Sequence, residues 1–252
     1  MPWNPDIYNQ FKEKRREPFF DLISHIQSKP DMKVLDLGCG TGELTKIVAD
    51  RFEAAHALGI DSSAEMLAKA PHQPNLSFAQ RTVAEQLKSG DTWNLIVANA
   101  SLQWVNNHEV LFPGIISQLM PGGQLAVQMP CQKENRLNQI LDDLVHEMPW
   151  QQALRGAIRS SPLLSLDEYT QLLYANGAKE TIIYQKVYPI IAQSVDTLYD
   201  FISGSALIPY MEKLQDDVKP FFIAAFKERI SSQFPSSPMV YPFKRLILMA
   251  RF

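Results

Sequence analysis

The chain has 252 residues, 46% of them hydrophobic, which is enough to bury a sizeable core in one elaborated α/β domain or two small ones. A net charge of -3 with no basic run of five or more gives no general attraction to nucleic acid, and no apolar stretch reaches transmembrane length. Cys39 and Cys131 are too few for a disulfide framework and read as reduced thiols, while the 5 scattered histidines lack ligand spacing for a metal.

The opening Met1-Pro2-Trp3-Asn4-Pro5 lacks the charged and apolar regions of a signal peptide, so a cytoplasmic protein is expected. Residues 1–28 read as a helical preface: Ile7, Tyr8 and Phe11, then Phe19, Phe20, Leu22, Ile23 and Ile26, recur at helical spacing, with Pro18 marking a break or a new start. A first buried strand, Val34 to Leu37, then breaks into glycines at 38, 40 and 42 before a helical pattern begins at Glu43. Glycines at that spacing let a ligand approach the backbone, and the amides that open the helix offer donors. The strand end therefore reads as a ligand cradle, with Asp36 just before it, where a pyrophosphate would be repelled and a cationic amine welcome. The spacing G-x-G-x-G, together with Asp36, disfavours a nicotinamide oxidoreductase, whose fingerprint is G-x-G-x-x-G.

The alternation continues with a second strand, His56 to Asp61, a third, Asn75 to Ala79, and a fourth, Trp93 to Asn99. A helix over 108–119 and the turn Pro121-Gly122-Gly123 lead into a fifth strand, Gln124 to Met129. After Pro130 the pattern changes to helices at 134–147, 166–175, 194–203 and 214–230, with strands only at 180–187 and 246–252. The expected organisation is an N-terminal helical lid (1–28), a ligand-binding core (29–130), and a final segment (131–252) that completes the sheet and carries an inserted helical cap.

The run Asp36 to Gly42, followed by Asp61 ending the next strand, resembles motif I and its sequel in the class I S-adenosylmethionine-dependent methyltransferases. The resemblance implies a Rossmann-like fold: a doubly wound, seven-stranded, mostly parallel sheet with the seventh strand antiparallel, and a helical cap. It implies that Gly38, Cys39, Gly40, Thr41 and Gly42, beside Asp36, hold the amino-acid part of S-adenosylmethionine. Asp61 would accept the ribose hydroxyls, with Ser62 and Met66 beyond it. Thr82, standing where many members carry Asp, and the Val83 amide would meet the adenine. Asn99, Ala100 and Ser101 end the fourth strand near the reacting methyl, and Gln103 and Trp104 follow towards the acceptor. Arg15 would reach the cofactor carboxylate, Trp3 and Tyr8 would cover the site from the lid, and Tyr210 would contact the acceptor from the cap.

Finer runs narrow the family. Trp3-Asn4-Pro5, Tyr8, Phe11, Arg15, the stretch Ala98 to Val105, Leu125 to Pro130 and the ending Arg245 to Arg251 are together similar to the trans-aconitate 2-methyltransferase family. Two positions depart from that family's pattern: Ile208 stands where an Arg precedes the cap proline, and Glu17 where a second Arg follows the one matching Arg15. A carboxylate acceptor is ionised at neutral pH and needs no general base, so positioning and desolvation carry catalysis and no catalytic residue is assigned. The expected partner is a small-molecule acid, with no nucleic acid, membrane or metal, and the chain is read as a monomer or weak homodimer. Two alternatives stay open, a methyltransferase of another small molecule or carrier-bound acyl group, and a catalytically silent cofactor-binding protein.

Overall fold

The computed structural model describes residues 12–252, so Trp3, Tyr8, Phe11 and the opening of the expected lid lie outside the described residues. Seven strands form one sheet: β1 (Lys33–Leu37), β2 (His56–Asp61), β3 (Leu76–Gln80), β4 (Trp93–Asn99), β5 (Leu119–Pro130), β6 (Glu180–Ala192) and β7 (Met239–Arg251), in the order β3-β2-β1-β4-β5-β7-β6. β1 pairs in parallel with both β2 and β4, which puts the reversal of strand order, where open α/β sheets bind ligands, between β1 and β4. β7 is antiparallel to β5, Gln128 lying opposite Ile247 and Pro130 opposite Arg245. Sheet and strand polarity are those expected from the sequence.

β6 and β7 both run longer than their apolar cores suggested. The extra residues alternate, with Tyr188, Ile190, Ala192, Tyr241 and Phe243 buried and Pro189 and Pro242 exposed. Those prolines hid the period-2 pattern, yet each sits on the exposed side of its strand.

The chain divides into two compact units. One comprises residues 18–130, 162–186 and 245–252. Its core sets Val34, Ala57, Leu95, Val97, Ala126, Ile247 and Met249 of the sheet against Phe19, Leu22 and Ile23 of α1 (Lys12–Ser24) and Val48 and Ala49 of α2 (Glu43–Arg51). α3 (Ala64–Leu67), α4 (Val83–Gln86), α5 (His108–Ile116) and α8 (Leu166–Ala175) belong to it too.

The other unit, whose described residues are 12–17, 131–161 and 187–244, is built on helices. In α6 (Arg136–Val145), Leu137, Ile140, Leu141, Leu144 and Val145 recur at i, i+3, i+4, i+7 and i+8, and all are buried. That stripe packs with α7 (Trp150–Ala153), α9 (Val195–Ser203), α10 (Ile208–Met211) and α11 (Lys219–Gln233) around Phe201, Phe222, Phe226, Tyr241 and Phe243. At about 1.5–3 kcal/mol per fully buried large apolar side chain, this helical unit has a core of its own. Among the described residues no helix is long and apolar enough to cross a membrane.

Candidate functional site

The glycine loop leaves β1 at Gly38 and opens α2 at Gly42, and it is tied back to β2 where the Ile60 carbonyl accepts from the Gly38 and Cys39 amides, both at 2.9 Å. Two glycines are required here. At Gly38, φ +75°, a Cβ would lie 2.4 Å from Ser101 Cβ; at Gly42, φ +70°, it would lie 2.4 Å from the Phe78 ring. Both ends of the loop are thus closed against neighbours. A Cβ on Gly40 would meet nothing within 4 Å, so the middle of the loop is open.

Asp36, the last polar residue on β1, is buried (5% exposed) and accepts the Thr45 hydroxyl at 2.6 Å. Burial pushes its carboxyl up from 3.8 to about 6, against the Thr45 bond, with the Asp61 charge adding to the rise. The group therefore favours a cationic neighbour. Asp61 Oδ2 accepts from the Gly40 amide at 2.9 Å and Oδ1 from the Ser63 amide at 2.8 Å. Each oxygen keeps a second lone pair, so the carboxylate braces the loop and can still accept two hydroxyls. Cys39 sits between these two acids: burial, then the charges of Asp36 and Asp61, push its thiol well above the usual range, which keeps it protonated and unsuited as a nucleophile. Thr41 is half-buried in the loop.

The sequence-derived candidates fall into three groups. In the sheet unit, Asp36, Gly38, Cys39, Gly40, Thr41, Gly42, Asp61, Asn99, Ala100 and Ser101 gather at the carboxyl ends of β1, β2 and β4, with the Ser101 hydroxyl donating to the Leu37 carbonyl. Ser62 and Met66 follow β2 and are exposed, Ser63 rather than Ser62 capping α3 by accepting the Met66 amide at 3.2 Å. Thr82 caps α4: its hydroxyl accepts the Glu85 amide at 3.2 Å and donates to Oε2 of Glu85 at 2.7 Å, so the hydroxyl is a structural cap. Val83 begins that helix, where the amide has no intrahelical acceptor.

Gln103 and Trp104 lie in a 3-10 turn (Leu102–Trp104), Gln103 buried and Trp104 exposed. Gln103 Nε2 donates to the Ala100 carbonyl at 2.7 Å, which fixes its amide. The turn is braced by His108 on α5, whose Nε2 lies 3.0 Å from the Leu102 carbonyl and Nδ1 2.5 Å from the Tyr169 hydroxyl on α8. A carbonyl only accepts, so Nε2 carries the proton and Nδ1 accepts from the tyrosine. Burial lowers the His108 pKa, consistent with this neutral form.

Arg15 and Tyr210 belong to the helical unit. Arg15 Nη2 donates to the Phe201 carbonyl at 2.6 Å, with its guanidinium 5.2 Å above the Phe201 ring. Phe201 lies in the last turn of α9, so a cation there caps free carbonyls and meets the negative end of the helix dipole. Tyr210 is buried on α10, its hydroxyl oxygen accepting the Arg159 amide at 3.4 Å, and burial pushes its phenol up.

Two further residues were not singled out from the sequence. Buried Arg245 on β7 donates from Nη1 to Gln128 Oε1 at 2.9 Å, and Gln128 on β5 donates from Nε2 to Asn99 Oδ1 at 2.6 Å. Their signal was a polar residue inside an otherwise apolar strand, Gln128 in Leu-Ala-Val-Gln-Met and Arg245 before Leu-Ile-Leu-Met-Ala. Among the described residues no cluster of three or more His, Cys, Asp or Glu could hold a metal ion.

Residues 11–185 match the family model of the methyltransferase domain. A trans-aconitate 2-methyltransferase of Deinococcus radiodurans is 38% identical over 258 aligned residues, covering 99% of this chain and 98% of the relative. One from Paracidovorax citrulli is 32% identical, covering 99% and 98%. Among solved structures, the YcgJ protein of a Bacillus species superposes with a TM-score of 0.62 at 15% identity, covering 94% of this chain and 98% of that one. A phosphoethanolamine N-methyltransferase 2 of Haemonchus contortus, in complex with S-adenosyl-L-methionine, gives a TM-score of 0.56 at 14% identity, covering 93% and 52%. At such identities the structural likeness speaks to the fold.

Proposed function

We propose that this chain, which belongs to the methyltransferase domain family, is an S-adenosylmethionine-dependent methyltransferase acting on a carboxylate of a small organic acid of the trans-aconitate kind. The observation that carries the reading is the cradle at the end of β1, closed at Gly38 and Gly42, open at Gly40 and rimmed by two acids. Those residues fit S-adenosylmethionine. Asp36 favours its ammonium, the open Gly40 leaves room for the amino-acid chain, and the spare lone pairs of Asp61 suit two ribose hydroxyls. The Val83 amide, at a helix start, is the donor offered to the adenine.

When bound, S-adenosylmethionine supplies an electrophilic methyl on sulfonium with a neutral thioether as leaving group. The acceptor carboxylate is the nucleophile and is already ionised at neutral pH, so no side chain has to remove a proton. What the chain supplies is position and dryness: Asn99, Ala100 and Ser101, held by Gln128 and Leu37, fix the end of β4. Gln103 and Trp104, on the turn braced by His108, would flank the acceptor. The second reading, an acceptor other than a tricarboxylate, rests on Ile208: an apolar side chain 43% exposed stands where an anion-binding Arg is expected. We place the protein in the cytoplasm as a monomer or weak homodimer, without nucleic-acid or membrane partners.

The test is a coupled assay for S-adenosylhomocysteine release against a panel of small di- and tricarboxylic acids including trans-aconitate. Turnover with the tricarboxylate supports the reading. Silence across the panel with the cofactor still bound refutes the acid acceptor and favours a carrier-bound acyl group.

A further inference from the structure

The chain Arg245–Gln128–Asn99 has a direction imposed by chemistry. A guanidinium only donates, so the Gln128 atom facing Arg245 must be Oε1, at 2.9 Å, and Nε2 is left to face Asn99. Nε2 only donates, so the Asn99 atom facing it must be Oδ1, at 2.6 Å. Both donors of Asn99 Nδ2 are consequently turned away from the sheet network. Among the described residues no acceptor meets them, and Nδ2 is not among the buried polar atoms that lack a partner, so it opens to solvent.

Asn99 ends β4 at the reversal of strand order, two residues before Ser101, which packs against Gly38 of the loop. The three side chains share one face of the sheet: Asn99 lies opposite Gln128, Gln128 opposite Ile247, and Arg245 is two residues from Ile247. A buried arginine is costly to install and is held here with its Nη1 on an amide, which ensures that the amide cannot flip.

We propose that Arg245 and Gln128 are positioning residues that hold the Asn99 amide with its NH2 towards the ligand crevice, where it binds a carboxylate. This rests on the proposed function, in which two carboxylates can come to the site, that of the acceptor acid and that of the methionyl part of the cofactor. A reversed Asn99 would present its carbonyl oxygen instead and repel either one.

The decisive variant is Gln128→Glu. A carboxylate at 128 accepts from Arg245 and from Asn99, so it keeps the Arg245 Nη1 contact while drawing Asn99 Nδ2 inwards and turning Oδ1 out. The Asn99 side-chain amide protons, followed by NMR hydrogen exchange, are expected to exchange more slowly in Gln128→Glu than in the unmodified chain; equal rates overturn the relay. Ligand binding then identifies the carboxylate. A KM for the acid raised tenfold or more, with S-adenosylhomocysteine affinity unchanged by calorimetry, assigns it to the acceptor; a tenfold weaker S-adenosylhomocysteine assigns that role to the cofactor, since this product keeps the methionyl carboxylate. Unchanged KM and affinity in a folded variant overturn the proposal. Should Gln128→Glu not fold, Asn99→Asp, which removes the donors without changing shape, is read by KM and S-adenosylhomocysteine affinity, unchanged values overturning the carboxylate contact. Absence of turnover by the unmodified chain would count against the acid acceptor alone, because the exchange and cofactor measurements still decide the relay.

Discussion

Replacing Asp36 by Asn tests the electrostatic design of the loop. Burial raises the Asp36 carboxyl from 3.8 to about 6, and each pKa unit corresponds to about 1.4 kcal/mol, so ionising it in the fold costs about 3 kcal/mol at neutral pH. The sign follows from proton binding: between the unfolded and folded values the native state holds a proton that the unfolded chain has released. Asp36 therefore contributes its full stability below about pH 3.8 and loses it as pH rises through about 6. Asn cannot titrate. Its Oδ1 can still accept from Thr45, and its buried NH2 adds a penalty of about 1–3 kcal/mol that does not change with pH. The clean observable is the difference in unfolding free energy, variant minus unmodified protein, measured by urea denaturation from pH 4 to 7.5. It should rise by about 2 kcal/mol across that interval, whatever its absolute value, since the first part of the change already lies below pH 4. A flat difference would show that Asp36 titrates as an ordinary carboxyl and would remove the argument for an ammonium beside it.

Two further substitutions probe the cradle. Asp61→Ala removes the acceptor of the Gly40 and Ser63 amides and of the proposed ribose hydroxyls, so S-adenosylmethionine affinity by calorimetry should fall at least tenfold; unchanged affinity would displace the ribose from this position. Gly38→Ala forces a left-handed residue, at roughly 1–2 kcal/mol, and a 2.4 Å clash with Ser101 Cβ, so both thermal stability and cofactor affinity should drop, and an unperturbed melting temperature would contradict the packing of loop on β4.

What could be read from the sequence was what is local. The loop needs its glycines because Ser101 and Phe78 leave no room for a Cβ, and that requirement is written at fixed spacing in a dozen consecutive residues, as is Asp61 at the end of the next strand. The extents of β6 and β7 were obscured by Pro189 and Pro242, which break a pattern on paper while facing outwards in the strand. Thr82 was expected near the adenine with recognition leaning on the Val83 amide; what the structure adds is that the run Thr82-Val83-Ala84-Glu85 is a capping box, so the hydroxyl also closes the start of a helix. Arg15 was read against the cofactor and is seated on the last turn of α9. The Arg245–Gln128–Asn99 chain joins residues 117 apart and then 29 apart in sequence, contacts created by the antiparallel entry of β7 beside β5 and by the β4–β5 pairing. Nothing in the local sequence around any one of the three encodes them.

Methyl transfer from sulfonium to a carboxylate oxygen can be followed with a labelled methyl group. With methyl-labelled S-adenosylmethionine and trans-aconitate, label is expected in the acid fraction that mild base releases as methanol, the behaviour of a carboxylate methyl ester. Label that stays with the acceptor through base treatment, or no transfer to any acid by a chain that binds the cofactor, would contradict it.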